Sequence, residues 1–188
     1  MVTVRPSAPE DRPRIYDILM RSQIFGSVDA DCVDEMFELA MDKPTPDQYR
    51  FLSAWDGDAM IAFGCYGMTS LTKATWDYYW LCALPEARGK GAGNALMRVG
   101  IRQATLEGGR LMVLYTSTDE RYAFAQQLFD SLGFVLHTVI PEYYDVGDDL
   151  KIYIGRMSTA YLVSADDSDS DARRKPMVAP GALAWQKK

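Results

Sequence analysis

A single histidine, His137, and three cysteines, Cys32, Cys65 and Cys82, give the 188-residue chain little with which to hold a metal. The cysteines are widely spaced, and they form neither a CxxC pair nor a disulfide framework. A zinc-type cluster needs about four such ligands close together, so no metal is expected. No apolar run approaches the roughly 20 residues that a membrane-spanning helix requires. The first residues, MVTVRPSAPEDRPRIYDILM, carry Asp and Pro where a secretory leader has its apolar stretch, so a cytoplasmic, reducing setting is expected. There is no basic tract either. The 20 Lys and Arg are outnumbered by 26 Asp and Glu, for a net charge of −6. Phosphate-backbone binding rests on clustered cations, so nucleic acid is not an expected partner.

What is present reads as one globular α/β (α+β) domain. Alternation at 2–5 predicts a first strand ending at Pro6. Residues 10–25 predict a helix with Ile15, Ile18, Leu19 and Ser22 on one side. Residues 31–41 repeat the pattern through Val33, Met36, Phe37 and Ala40 before Lys43-Pro44 stops it. Strand-like runs at 49–55 and 59–66 flank the turn Asp56-Gly57-Asp58, and an aromatic, β-branched run at 75–84 predicts a central strand. A helix over 94–107 places Met97, Ile101 and Ala104 on one stripe and closes at Gly108-Gly109. The apolar run 111–116 predicts a strand covered on both faces. Thr118 or Asp119 caps the next helix, with Ala125, Leu128, Phe129 and Leu132 at helical spacing. Strands at 134–140 and 151–157, joined by the loop PEYYDVGDD, complete seven strands and four helices. The domain is expected to span 1–159. Residues 160–188, with the acidic run SADDSDSD and a Pro/Gly/Ala segment, read as a solvated extension in which Leu183 and Trp185 are the residues able to pack.

The chemistry-bearing stretch is WLCALPEARGKGAGNALM, residues 80–97. A strand ends near Leu84-Pro85, a helix begins near Asn94, and Arg88-Gly89-Lys90-Gly91-Ala92-Gly93 lies between them. Alternating glycines let the backbone turn tightly and let a ligand approach without Cβ interference. They also leave N–H groups free at a helix N-terminus, where the dipole favours an anion. Such a segment is a candidate pyrophosphate cradle, or simply a tight connection. The pattern GxxxxGK[ST] is absent, and the run is GxGxG rather than GxGxxG, which disfavours P-loop and dinucleotide readings.

Arg88-Gly89-Lys90-Gly91-Ala92-Gly93 resembles the R/Q-x-x-G-x-G/A motif of the GNAT N-acetyltransferase superfamily. Residues 121–134, RYAFAQQLFDSLGF, resemble that family's second motif, A-x-x-x-[FY]-x-x-x-GF. The resemblance covers roughly 2–157. It implies a mixed, mostly antiparallel central sheet of about seven strands flanked by about four helices, with splayed central strands. It also implies acetyl-CoA as co-substrate, held by Cys82, Ala83 and Leu84 at the end of the central strand and by residues 88–93 (Arg88, Gly89, Lys90, Gly91, Ala92, Gly93), Asn94 and Phe129. The reaction implied is direct transfer of an acetyl group to a primary amine of a small molecule or peptide, with an oxyanion-facing N–H at Ala83. Homodimers are common in the family and plausible here.

Such chemistry needs a base for the amine and an acid for the departing thiolate. Asp77 on the central strand and Glu142 in the late loop are candidate bases. Strict alternation puts Asp77, Tyr79, Leu81 and Ala83 on one face and Tyr78, Trp80, Cys82 and Leu84 on the other. Phe129 stands where the resemblance implies a tyrosine acid, leaving Tyr122, Tyr115, Tyr144 or solvent for that role. Cys82 among apolar neighbours reads as a core thiol rather than a nucleophile, and His137 as a strand residue. Some of Trp76, Tyr78, Tyr79, Trp80, Tyr143 and Tyr144 are candidates to line an acceptor groove. A non-catalytic acyl-CoA-binding module, and a transferase for longer acyl groups or hydroxyl acceptors, are the competing readings.

Overall fold

A computed structural model describes residues 1–42 and 49–158. The predicted extension from 160 onward lies outside the described residues. The chain runs β1 (Val2–Pro6), α1 (Arg12–Arg21), α2 (Ser27–Asp42), β2 (Arg50–Asp56), β3 (Ala59–Met68), β4 (Thr75–Ala83), α3 (Ala92–Leu106), β5 (Leu111–Ser117), α4 (Ala123–Ser131), β6 (Val135–Asp145) and β7 (Asp148–Arg156). The seven strands form one sheet in the order β1-β2-β3-β4-β5-β7-β6. Only the central β4–β5 pair is parallel.

Helices cover both faces. The stripe of α3 that includes Met97, Ile101 and Ala104 is fully buried against the sheet. The ring of Tyr78 fills the contact between α3 and the sheet: a Cβ on Gly64 would sit 2.2 Å from its hydroxyl and one on Gly100 2.9 Å from its Cε2. On the opposite face lie α1, burying Ile15, Ile18 and Leu19, and α2, burying Ala30, Val33, Met36, Phe37 and Ala40. Trp80 reaches this face, its Nε1 3.2 Å from Met36 Sδ and its ring 5.3 Å from that of Phe25.

Several boundaries differ from expectation, among them β3 ending at Met68, α3 starting at Ala92 and β7 starting at Asp148, and three differences have a clear local reason. The first helix ends at Arg21 rather than 25. Ser22 Oγ donates to the Leu19 carbonyl (2.7 Å), and Gln23 enters the left-handed region at φ 61°. The second helix starts earlier, at Ser27, where Asp29 Oδ2 accepts the Gly26 N–H (2.8 Å). The segment PEYYD, expected as loop, is strand throughout, as the end of β6. Between Ile140 and Asp145 the β6 register slips against β7, and Asp149 Oδ1 bridges the bulge by accepting the Glu142 N–H (2.9 Å). Gly147, at φ +79°, closes the hairpin.

The assumed alternation along β4 is also corrected. Cys65 pairs with Trp80 and Tyr66 with Tyr78, so Tyr79 is an extra residue in a β-bulge. A bulge flips the facing of everything beyond it. Tyr78 and Leu81 therefore lie toward α3, whereas Trp80 and Cys82 lie toward α1 and α2.

Candidate active site

The splay between β4 and β5 creates the site. These strands pair only from Thr75–Leu111 to Tyr78–Leu114; beyond that β4 keeps only β3 as a partner, to Ala83, and β5 only β7, to Ser117. The opening is a cleft of about 320 Å³, lined among others by Tyr79, Leu81, Tyr115, Ser117, Tyr122, Phe129 and Tyr144. Leu84 N–H donates to the Ile61 carbonyl (3.0 Å) on the β3 side. Alternation then turns the peptide groups of Cys82 and Leu84 toward β3, and those of Ala83 and Leu81 toward the edge that β5 has left. Leu81 was not singled out from the sequence, because the strand's facing depends on the bulge.

Beyond the strand, Gly89 and Gly91 take φ +79° and +81°, and an added Cβ at either position would meet no atom within 4 Å. The loop is therefore open to a ligand. Gly91 is the N-cap of α3 and no side chain caps the helix. The first intrahelical bond is Ala95 N–H to Gly91 O (2.9 Å), which leaves the N–H groups of Ala92, Gly93 and Asn94 without helical acceptors. Gly93 is small for another reason: a Cβ there would lie 3.2 Å from Leu128 Cδ2 of α4. Arg88 Nη2 donates to the Ser22 carbonyl (3.2 Å), and its guanidinium lies 5.8 Å from the Phe124 ring centre. Lys90 pairs with Asp56 (3.1 Å), and Asn94 Oδ1 accepts from Arg98 Nε (2.7 Å). A pyrophosphate fits this cradle by chemistry: free N–H donors, a helix N-terminus, and no Cβ in the way.

Asp77 is buried. Its Oδ2 accepts from Thr69 Oγ1 (2.8 Å) and lies 3.4 Å from the Tyr79 hydroxyl, which donates to it. Oδ1 has no hydrogen-bond partner among the described residues. Burial raises the Asp77 pKa above the ordinary carboxylate value, more than those two bonds lower it. Glu142, the other base candidate, is exposed on the β6 bulge and is not among the cleft residues. Phe129 is buried against Phe134 and Tyr153 while lining the cleft, and Tyr122 lines it beside Phe25 (6.2 Å between ring centres). Tyr115 and Tyr144 reach the cleft as well, and burial raises the pKa of all three tyrosines.

The Cys82 thiol, 3.8 Å from the Ile18 carbonyl, is pushed up to about 12 by burial and is protonated at neutral pH. That agrees with a core thiol rather than a nucleophile. His137 is exposed on β6 and does not line the cleft. Ser117, Arg121 and Asp148 do line it; no sequence motif marked Ser117 or Asp148, and Arg121 entered only as the first residue of the stretch 121–134, with no site role. They come from the end of β5, the turn before α4 and the start of β7, brought together only by the fold. Among the described residues, no group of three or more His, Cys, Asp or Glu is placed to hold a metal ion, and no helix is long and apolar enough to cross a membrane.

Residues 12–134 match the model of the acetyltransferase (GNAT) family. A solved protein from Desulfovibrio desulfuricans assigned to the GNAT family superposes with a TM-score of 0.79 at 28% identity, covering 84% of this chain and 100% of that one. The yncA protein of Salmonella typhimurium, solved with its cofactor acetyl-CoA, gives a TM-score of 0.69 at 19% identity over 84% of this chain and 95% of that one, a likeness of fold alone. Mycothiol acetyltransferase of Corynebacterium efficiens is 34% identical over 86 residues, 45% of this chain and 27% of the relative. The chain thus spans about a quarter of the length of that curated relative.

Proposed function

The chain belongs to the acetyltransferase (GNAT) family, and we propose that it is an N-acetyltransferase that moves an acetyl group from acetyl-CoA to a primary amine of a small molecule or peptide. One observation carries this reading. The end of β4 joins the cleft opened by the β4–β5 splay, which Leu81 lines, to an uncapped helix N-terminus behind two left-handed glycines, a disposition that suits a thioester at the first and a pyrophosphate at the second. In this reading residues 88–94 hold the pyrophosphate through the backbone of Gly89, Gly91, Ala92, Gly93 and Asn94, while Lys90, paired with Asp56, is turned away from it. The β4 end from Leu81 to Leu84 runs along the pantetheine arm, with the Ala83 N–H facing the acetyl oxygen. Phe129 packs beside the sulfur.

Bound acetyl-CoA supplies an activated acetyl group. The protein's part is to orient it, exclude water and move protons. Asp77, with its raised affinity for a proton, serves as the base for the acceptor amine. Tyr122, a neutral phenol on the cleft wall, is the candidate to protonate the leaving thiolate in place of the hydroxyl that Phe129 lacks. A cytoplasmic setting accords with three cysteines that are free thiols.

The test is release of free thiol from acetyl-CoA by the purified full chain, across a panel holding a diamine, an amino sugar and a short peptide with a free N-terminus. Amine-dependent release with an acetylated product by mass supports the reading. Tight acetyl-CoA binding with no amine-dependent release points to the non-catalytic module.

A further inference from the structure

Building on the transferase reading above, we propose that Tyr79 is a further catalytic residue, which takes the proton from the acceptor amine while passing its own to Asp77. Asp77 is 6% exposed and is not among the residues that line the cleft, so an acceptor seated there does not touch the carboxylate directly. Tyr79 spans that gap. The residue is 38% exposed and lines the cleft, and its hydroxyl lies 3.4 Å from Asp77 Oδ2. The bulge explains why two residues so close in one strand meet. As the inserted residue of β4, Tyr79 departs from the alternation that would otherwise set its facing. Tyr49 packs edge-on against this tyrosine's ring through its own ring alone (5.2 Å, 83°), a contact that a phenylalanine at 49 keeps.

A phenol suits this position. It has one proton to donate and two lone pairs to accept with, so it can hold both partners at once. The step balances as follows. An N–H bond of the acceptor ammonium breaks and its proton goes to Tyr79 Oη. The phenolic O–H bond breaks and that proton goes to Asp77 Oδ2. The tyrosine ends as it began, the carboxylate is protonated, and the amine is left neutral with a free electron pair. Tyr79 is not itself the base, because burial and the neighbouring Asp77 hold its pKa above that of an ordinary phenol. The groups facing Asp77 are Thr69 from the β3–β4 connection, Tyr79, and Tyr115 from β5, whose pKa the carboxylate raises. Of these, only the tyrosines titrate, and both do so far above neutrality.

The experiment compares the full chain with Tyr79→Phe, Asp77→Asn, the double variant, and Tyr49→Phe as a packing control, using whichever panel amine the wild type acetylates. Tyr79→Phe keeps the ring and its packing. It is expected to lower kcat about 10- to 100-fold, to leave the acetyl-CoA dissociation constant unchanged, and to shift the acidic limb of the kcat/KM profile. Asp77→Asn should cost a similar factor, and the double variant no more than the worse single, as for residues acting as a unit. Tyr49→Phe should retain the wild-type rate. Wild-type kcat and pH profile in Tyr79→Phe, or additive losses in the double variant, overturn the relay. A wild type that binds acetyl-CoA but acetylates no panel amine overturns the transferase reading, and the relay with it.

Discussion

Lys90 Nζ lies 3.1 Å from Asp56 Oδ2, so the cation between the two left-handed glycines is turned to the β2–β3 hairpin rather than into the loop. The same carboxylate also has the N-terminal amine 3.7 Å away. Anion binding at the loop therefore rests on backbone N–H groups and the α3 N-terminus. Lys90→Ala is expected to weaken acetyl-CoA binding less than about threefold near physiological salt, and to leave Tm almost unchanged, as for an exposed ion pair. Calorimetric titration checks this. A loss of tenfold or more would mean that Lys90 leaves Asp56 to meet the cofactor.

The Arg5–Asp11 pair ties β1 to the turn before α1 and sets a pH dependence of stability. Asp11 accepts two bonds from Arg5 (both 2.8 Å), one from the Ala8 N–H (2.9 Å) and one from Ser53 (3.2 Å). Burial alone would raise its pKa, but Arg5 and the Ala8 N–H outweigh it, and the net direction is downward. A depressed folded-state pKa contributes stability that is present above the unfolded value of about 4 and lost as pH falls through the folded one. Asp11→Asn should cost about 1–3 kcal/mol at pH 7, since Arg5 is partly exposed, and progressively less below pH 4. Urea unfolding at pH 7 and pH 3 measures the difference. An equal cost at both would show that the charge is irrelevant.

Tyr122 and Phe129 divide what one side chain is implied to do in the resembled family. Tyr122→Phe should lower kcat several-fold without changing acetyl-CoA affinity. Phe129→Tyr adds a hydroxyl to a ring packed on Phe134 and Tyr153, and should change kcat less than about twofold because Tyr122 already supplies a proton. A large gain from Phe129→Tyr, together with no loss from Tyr122→Phe, would move the acid role away from residue 122.

The element order and the glycine loop were legible because they rest on short-range signals: 3.6-residue stripes such as Met97, Ile101 and Ala104, and a Gly-rich turn between a strand and a helix. The β4 bulge was not. In Trp76-Asp77-Tyr78-Tyr79-Trp80, four aromatic residues surround the carboxylate, so no periodicity marks where one residue is inserted. The contact between Tyr79 and Asp77 depends on that insertion and was equally invisible. The extension of β6 through Pro141 to Asp145 was hidden by turn-forming composition, which the Asp149 side chain compensates from the partner strand. The roles of Arg88 and Lys90 looked alike in sequence, and they diverge because Ser22 and Asp56, distant in the chain, fold next to them.

The central claim is that acetyl-CoA binds with its pyrophosphate on the glycine loop, and calorimetric titration of acetyl-CoA into the wild type and a Gly91→Trp variant tests it most directly. Saturable one-to-one binding to the wild type and none to the variant is expected, with both proteins showing the same far-ultraviolet circular dichroism. A Cβ at Gly91 meets no atom within 4 Å, so the indole meets the ligand rather than the core, and a Gly91→Ala variant separates that block from the strain any side chain brings at φ +81°. Equal affinity in the two proteins, or no binding to the folded wild type, would contradict the account.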